Sequence, residues 1–154
     1  MTMKVEDLLV LLGKSSTNEK VRETLTALGI DMKKVRLKKG DFDVNVVAES
    51  YGIEIEFADP GKYKSTEPIP EGALVLGAVF ISSTTISKLG SLPYGLEFGL
   101  TRELAASKLG KPVWSSPVAP IDRWLLDDHE VTIRFERTSL KVQRIIFSRP
   151  KQGA

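Results

Sequence analysis

The only histidine of the chain, His129, lies in the acidic stretch "LLDDHEV" beside Asp127, Asp128 and Glu130. An imidazole among carboxylates suits either a metal site or general acid–base catalysis. Neighbouring residues of a strand point to opposite faces, so these side chains do not converge on one point. We find no His, Cys or Asp elsewhere at an offset that would complete such a site. The pattern therefore favours a hairpin turn at this position.

The stretch "GKSST" (Gly13–Thr17) contains the Gly-Lys-Ser order of a phosphate-binding loop. The glycine that such a loop needs upstream is absent. The segment also ends a predicted helix, whereas a phosphate-binding loop opens one after a strand. Because a helix C-terminus carries partial negative charge, it repels phosphate. We therefore interpret these residues as the end of a helix.

Nucleophilic catalysis requires a hydroxyl or thiol beside a base. Serine pairs occur at Ser82–Ser83 and Ser115–Ser116, but the single imidazole is His129. The chain contains no Gly-x-Ser-x-Gly motif and no cysteine. We therefore predict that the protein is not an enzyme and has no catalytic residues, no cofactor and no metal site.

A basic run, "MKKVRLKKGD", covers Met32–Asp41. Its five cations suit a nucleic acid or an acidic protein. No aromatic residue alternates with them, so base stacking is not supported. An edge strand protected by lysines is the other interpretation, and we favour it. A nucleic-acid-binding or regulatory module that uses residues 33–39 stays the alternative function.

The totals indicate a globular protein of ordinary composition. Its 154 residues are 42% hydrophobic and 27% charged, with a net charge of +2. This charge is too small to imply nucleic-acid binding by itself. The apolar run Leu8–Leu12 is too short for a signal peptide or a membrane span. With no cysteine in the sequence, we expect a cytoplasmic protein that does not contact a membrane.

Two apolar stripes of helical period predict a helical hairpin in the N-terminal part. The first stripe is Val5, Leu8, Leu9 and Leu12, and the second is Val21, Leu25 and Leu28. Gly13 and Gly29 are placed to end the two helices. Asn18 is placed to cap the second one.

Alternating and continuous apolar patterns then predict antiparallel strands. Strands are expected over 42–48, 51–57 and 73–81, with a loop at 62–72 and a connector at 82–91. A third helix is expected to begin at Thr101 and to end at Gly110. Three more strands are expected over 123–128, 130–137 and 140–149, with Trp124 in the core. We expect the tail at 150–154 to be frayed.

The two halves repeat the same order of elements. Each half has a helix that ends in Leu-Gly-Lys, at Leu12–Lys14 and Leu109–Lys111, followed by antiparallel strands. Either a duplication or the ordinary succession of elements in an α+β chain explains this order. We predict an α+β fold of two related units in one compact body. Residues 1–91 form the first unit and residues 92–149 the second.

The stretch from Gly95 to Phe147 includes "GLEFGLTRELAASKLGKP" and the three strands that follow it. It resembles the helix-plus-meander module of β-lactamase inhibitory protein and of the small lipoprotein of the outer-membrane β-barrel assembly machinery. The whole chain is similar to bacterial immunity proteins encoded beside secreted antibacterial toxins of the type VI, Rhs or bacteriocin kinds. A lipoprotein cysteine is lacking, so the lipoprotein role is not expected. The resemblance implies a cytoplasmic protein that binds and neutralises a cognate protein toxin.

Two sets of residues are candidates for toxin binding. The sheet face opposite the helices is expected to carry Asn45, Glu54, Glu56, Thr132, Arg134, Glu136 and Arg144. Aromatic residues in loops are expected either to anchor the partner or to cover the edge of the core, namely Tyr63, Tyr94 and Trp114. A mixed-charge sheet face would speed association and set the register of a protein partner. Plain exposure to solvent explains the same face equally well.

Overall fold

The computed structural model describes residues 4–83 and 89–153. The helices in these residues are α1 (Glu6–Leu9), α2 (Glu19–Ala27) and α3 (Arg102–Leu109), with single 3₁₀ turns at Met32–Lys34 and Pro93–Gly95. The strands are β1 (Asp43–Ala48), β2 (Ile53–Ala58), β3 (Val75–Ser82), β4 (Trp114–Ser115), β5 (Ile121–Leu126), β6 (His129–Phe135) and β7 (Val142–Ser148).

All of these strands belong to one antiparallel sheet in the order β1-β2-β3-β7-β6-β5-β4. The first meander, β1 to β3, meets the second, β5 to β7, where β3 pairs with β7. Ala78 opposes Ser148 at one end of this pair, and Ser82 opposes Arg144 at the other. The fold is therefore α+β, as expected, and its strands form one continuous sheet.

The main core lies between the helices and one face of the sheet. Leu8 of α1, Leu25 of α2 and Ala105 of α3 are fully buried in the same cluster as the inward residues of the strands. Trp124 is a core residue as predicted, and its indole N–H donates to the Gly110 carbonyl at 2.8 Å. The indole thus satisfies its donor while burying its ring beside the end of α3.

The predicted helix caps are present. The Asn18 side chain accepts from the Lys20 and Val21 N–H groups at 2.9 and 3.2 Å. The Thr101 hydroxyl accepts from the Leu104 N–H at 3.3 Å. Each oxygen satisfies donors that the first turn of a helix leaves unpaired.

A buried ion pair attaches the start of α3 to β5. Arg102 donates to both oxygens of Asp122, at 2.8 and 2.6 Å, and the Ser115 hydroxyl donates to the same carboxylate at 2.6 Å. Burial by itself would raise the pKa of Asp122, but these hydrogen bonds outweigh it and leave the pKa below its ordinary value. The pair therefore contributes to stability in its charged form.

The basic segment 33–39 is not an edge strand, so that prediction is wrong. The Asp31 carboxylate accepts from the Lys33 N–H at 3.0 Å and starts the 3₁₀ turn. Val35 and Leu37 then pack against the core, and no described strand pairs with them. The apolar residues fix this segment by packing, while its cations point away.

The residues after β7 are hydrogen-bonded where fraying was expected. The Lys64 N–H donates to the Pro150 carbonyl at 2.9 Å, and the Gln152 N–H donates to the Lys62 carbonyl at 3.0 Å. Tyr63 and Lys151 form a short antiparallel bridge. The sequence does not show these contacts because the paired residues lie far apart in the chain. The Gln152 side-chain bond to the Tyr63 carbonyl, for example, joins residues about 90 positions apart.

Candidate protein-binding face of the sheet

Three rows of side chains cross the sheet on the side away from the helices, and we call them the open face. The middle row takes one residue from every strand: Val47, Glu54, Phe80, Ile146, Thr132, Arg123 and Trp114. The second row is Asn45, Glu56, Ala78, Ser148, Glu130 and Leu125, and the third is Ser82, Arg144, Arg134 and Ile121. Their strand neighbours, such as Trp124, Val131 and Ile145, lie in the core, so alternation places these rows opposite the helices.

Two arginines of the open face lie over aromatic rings. The Arg123 guanidinium is 5.1 Å from the ring centroid of Trp114, and the Arg144 guanidinium is 4.8 Å from that of Phe80. Trp114 is 42% exposed. Stacking over a ring holds each guanidinium in place while its donors stay available.

The third row carries a cross-strand pair of like charges. Arg134 and Arg144 stand directly opposite each other on β6 and β7. Arg144 also lies 3.6 Å from the Glu54 carboxylate, whereas Arg134 is exposed and has no ion pair among the described residues. Like charges opposite each other destabilise a sheet. This part of the open face therefore holds positive charge at a cost to stability.

The loop that follows β2 covers part of the open face in the first meander. Tyr63 is 4% exposed, so the prediction of an exposed aromatic anchor is wrong at this position. Its ring lies over Gly77, where a Cβ atom would come within 2.2 Å of it. Burial and the neighbouring Glu56 raise the pKa of Tyr63. The Tyr63 ring therefore covers the sheet at Gly77, where a larger residue would overlap the ring.

Lys62 neutralises the acidic residues beside this tyrosine. Its Nζ lies 2.8 Å from Asp43 and 3.0 Å from Glu56. Burial would lower the pKa of Lys62, but the hydrogen bonds to Asp43 and Glu56 outweigh it and leave the pKa raised. Glu56 is 7% exposed, so this predicted binding residue lies on the open face but is buried.

Tyr94 lies on the helical side of the sheet, away from the other candidates. Its hydroxyl is 2.8 Å from Nε2 of His129, whose Nδ1 is 3.1 Å from the Asp128 carboxylate. Both ring nitrogens of His129 are thus within hydrogen-bond distance of a partner. Burial, followed by the charges of Asp127 and Asp128, raises the pKa of Tyr94. The phenol thus keeps its proton and fixes the turn at Pro93–Gly95.

His129 begins β6 directly after the turn at Asp127–Asp128, which agrees with the predicted hairpin. The ring is 7% exposed and packs against Phe147 at 6.2 Å between centroids. Within residues 4–83 and 89–153, no group of three or more His, Cys, Asp or Glu side chains converges as metal ligands do. The described surroundings of His129 therefore suit a packed histidine that orients Tyr94.

Glu136 lies just after β6, and its carboxylate is used within the turn that follows. It follows a register shift at the end of β6, and its carboxylate accepts from the Thr138 and Ser139 N–H groups. The backbone hydrogen bond from Ser139 is the main reason that the pKa of Glu136 is lowered. This residue closes the turn before β7.

The segment Gly13–Ser16 is used to attach α1 to the sheet. The Gly13 and Ser16 N–H groups donate to the Leu76 and Leu74 carbonyls, both at 2.8 Å. The Ser16 hydroxyl accepts from the Leu74 N–H at 2.9 Å. Because these backbone donors are occupied, the segment does not form a phosphate cradle, in agreement with the sequence interpretation.

The structure brings most of the predicted binding residues together. Asn45, Glu54, Glu56, Thr132, Arg134 and Arg144 share the open face, and Trp114 lies at its β4 edge. Sequence reasoning missed Phe80, Arg123, Leu125 and Ile146 on the same face. Phe80 was hidden because the β3 sequence is apolar on both faces, so its alternation is not visible.

No family model, no curated protein and no solved structure matches this chain. Among the described residues, no helix is both long enough and apolar enough to cross a membrane.

Proposed function

We propose that this protein is a binding protein that docks a protein partner on the second-meander half of its open face. The observation that carries the proposal is the combination of Trp114, Arg123, Arg134 and Leu125 on one flat, uncovered surface. Tryptophan and arginine are the residues that most often dominate binding energy at protein interfaces. Leu125 is 55% exposed and adds apolar area beside them.

Together with the resemblance of the sequence, this surface supports an immunity protein as the specific function. In this proposal the protein acts in the cytoplasm of the producing cell and neutralises a cognate antibacterial toxin by direct binding. The positive charge of Arg123 and Arg134 would speed encounter with an acidic toxin surface. No catalysis by this chain is required.

We also propose that the two halves, 1–91 and 92–149, are related units. The strand order supports this, because β1-β2-β3 on one side of the β3–β7 pair corresponds to β5-β6-β7 on the other. The helices that precede the meanders, α2 and α3, add to the likeness. In this proposal one meander serves stability and the other serves binding.

A nucleic-acid-binding module is the second candidate. The side chains of Lys33, Lys34, Arg36 and Lys38 line one surface cavity of about 540 Å³, and each of these residues is exposed. Such a module would bind duplex or single-stranded probes with an affinity that falls steeply as salt rises. A gel-shift assay at low salt would test this function, and no shift there would remove it.

The immunity function predicts that a toxin is encoded beside this gene, and that toxin is the probe for the test. Cells that express this toxin should survive only when the wild-type protein is co-expressed, and the two should co-purify. Trp114→Ala and Arg134→Glu should each weaken the complex at least about ten-fold. Leu104→Ala and Arg22→Glu are matched controls on exposed helix positions and should not weaken it. Failure of the wild-type protein to protect would overturn the proposal.

A further inference from the structure

The outer edge of β1 is a free strand edge of regular geometry. The Asp59 N–H donates to the Phe42 carbonyl at 2.8 Å, so Phe42 and every second residue after it bond to β2. The N–H and C=O groups of Asp43, Asn45 and Val47 therefore point away from the sheet. Among the described residues, none pairs with these outward groups.

This edge lacks three features that commonly block edge-to-edge pairing, namely shortness, a proline and a bulge. β1 has six residues, contains no proline or lysine, and pairs with β2 without a register shift. The opposite edge of the sheet is β4, which has only two residues. Natural proteins shorten, charge or bend exposed edges because such edges recruit other strands. β4 follows this rule and β1 does not.

A groove runs along the free edge of β1. Its outer wall is Leu28–Asp31, at the end of α2, and its inner wall is Val44–Val47. The space between these walls has a volume of about 570 Å³. We call it the edge groove. Its lining is mixed, because Leu28, Ile30 and Val46 belong to the buried core while Asp31, Glu49 and Ser50 are polar.

One end of the edge groove is basic. A second cavity of about 540 Å³ shares Lys34 and Val44 with the first and adds Lys33, Arg36 and Lys38. These basic side chains form no ion pair with the described residues. Asp41 and Asp43 line this end too, but Lys62 pairs with Asp43 at 2.8 Å, so four basic side chains stand against one unpaired carboxylate. An excess of positive charge therefore stands beside the start of β1.

We propose that the edge groove binds an extended acidic peptide segment of a protein partner, which adds to β1 as an eighth strand. The outward groups of Asp43, Asn45 and Val47 supply the backbone hydrogen bonds. Lys33, Lys34 and Arg36 supply charge complementarity at one end. Strand addition is a common way to bind peptides, with affinity from the backbone and specificity from side-chain contacts.

The edge favours a peptide over a nucleic acid. Outward N–H and C=O groups alternate along β1 at the spacing of a strand, about 6.8 Å for every second residue. A peptide backbone presents the complementary donors and acceptors at the same spacing, whereas a phosphate backbone presents acceptors only. This site is separate from the second-meander half of the open face, so the inference does not depend on the proposed function.

The direct test uses fluorescein-labelled peptides and the full chain. The probe Thr-Val-Thr-Val-Thr-Glu-Asp-Glu is compared with Thr-Val-Thr-Val-Thr-Gln-Asn-Gln by fluorescence anisotropy at low salt. The reversed acidic sequence is included because a strand can add in either direction. We expect one acidic peptide to bind at least about ten-fold more tightly than the neutral one. In hydrogen exchange, the amides of Asp43, Asn45 and Val47 should become protected when it binds.

Two variants separate backbone pairing from side-chain effects. Asn45→Pro removes one outward N–H, which an edge strand tolerates, and should weaken binding at least about ten-fold. Asn45→Ala keeps that N–H and should stay within about two-fold of wild type. The double variant Lys34→Glu/Arg36→Glu changes only exposed side chains and should abolish the preference for acidic peptides. Near-ultraviolet circular dichroism of the two tryptophans checks that each variant is folded.

Other outcomes would overturn the inference. No binding of either acidic peptide, or equal binding of acidic and neutral peptides, contradicts it. Tight binding of an oligonucleotide that Asn45→Pro does not affect would assign the basic end to nucleic acid instead. A dimer in sedimentation that Asn45→Pro dissociates would assign the edge to a second copy of this chain. None of these results bears on Trp114, so toxin protection can succeed or fail independently.

Discussion

The Lys62 ion pairs of the first meander and the Arg102–Asp122 pair of the second lie on opposite faces of one sheet. In the first meander Lys62 bonds to Asp43 and Glu56 on the open face, under the loop that carries Tyr63. In the second meander the Arg102–Asp122 pair lies on the helical face. The arginines on its open face include Arg134, which has no counter-ion among the described residues.

This difference shows how one face of a sheet can be covered in one half and exposed to solvent in the other. Covering a strand surface buries apolar area and requires that the charges beneath it be paired. The first meander meets both requirements with Tyr63 and Lys62. The second meander is attached from the helical side, so its other face stays exposed. The predictions below test each part of this contrast.

Substituting the glycine beneath Tyr63 should have the largest effect. In Gly77→Ala, the added Cβ would overlap the Tyr63 ring, whose nearest atom lies 2.2 Å from the ideal Cβ position. Overpacking of this kind should lower the free energy of unfolding by about 3 kcal/mol. Urea unfolding followed by tryptophan fluorescence measures this change.

The double variant Gly77→Ala/Tyr63→Ala is the control for this overlap. Removing the ring makes room for the methyl group, so the two substitutions should be far from additive. If the loss of stability in the double variant equals the sum of the two single losses, the Tyr63 ring does not occupy the space over Gly77.

Removing the buried carboxylate of the second meander should have the next largest effect. Asp122→Ala leaves the Arg102 guanidinium and the Ser115 hydroxyl without their acceptor. Because the Arg102 side chain is 33% exposed, we expect a loss of about 2 kcal/mol rather than the full penalty of a buried charge. Binding at Trp114 should persist in the folded fraction, since the pair lies on the other face.

The contribution of Asp122 should depend on pH. Its folded pKa lies below the ordinary value of 3.8, so its stabilisation is complete above that pH and is lost as pH falls through the folded pKa. The difference in unfolding free energy between wild type and Asp122→Asn should be constant near neutral pH and shrink below about pH 4. A difference that grows on acidification would contradict this assignment.

Removing the cation of the first meander should have a smaller effect. Lys62→Met leaves the buried Glu56 carboxylate without its counter-ion. The free energy of unfolding should fall by about 1 kcal/mol near neutral pH. Adding Glu56→Gln should recover part of this loss, because the neutral amide needs no counter-ion. Chemical denaturation of the single and double variants decides the outcome. No recovery in the double variant would show that Lys62 acts through packing alone.

Relieving the arginine pair should have the smallest effect and the opposite sign. Arg134→Thr removes the like charge across from Arg144 and should raise the free energy of unfolding by about 0.5 kcal/mol at low salt. The gain should shrink at high salt because screening weakens the repulsion. The same variant should weaken toxin binding if the open face binds as proposed. A destabilised variant would show that Arg134 has a structural partner.

Local patterns in the sequence predicted the elements well. The caps at Asn18 and Thr101 depend on side chains that bond to N–H groups only two or three residues away. The alternation of β1, β2 and β6 depends on residue types within a single strand. Both kinds of signal are local, so they survive without knowledge of the fold. The resemblance to known families supplied the expectation of a helix-plus-meander module and the proposed toxin partner.

The errors occur where contacts between distant residues decide the outcome. Tyr63 is hydrophobic enough for an interface and equally suited to cover Gly77, and only the path of its loop selects the second role. The segment 33–39 has the composition of an edge strand, but packing of Val35 and Leu37 on the core leaves it unpaired.

The sequence by itself determined the fold class, the caps, the burial of Trp124 and most residues of the open face. These follow from local geometry and from the period of apolar residues. Only the tertiary structure decided which half of that face is covered, that β1 is a free edge beside a basic groove, and that His129 holds Tyr94. Those features depend on pairing between segments far apart in the chain, whose register no single segment specifies.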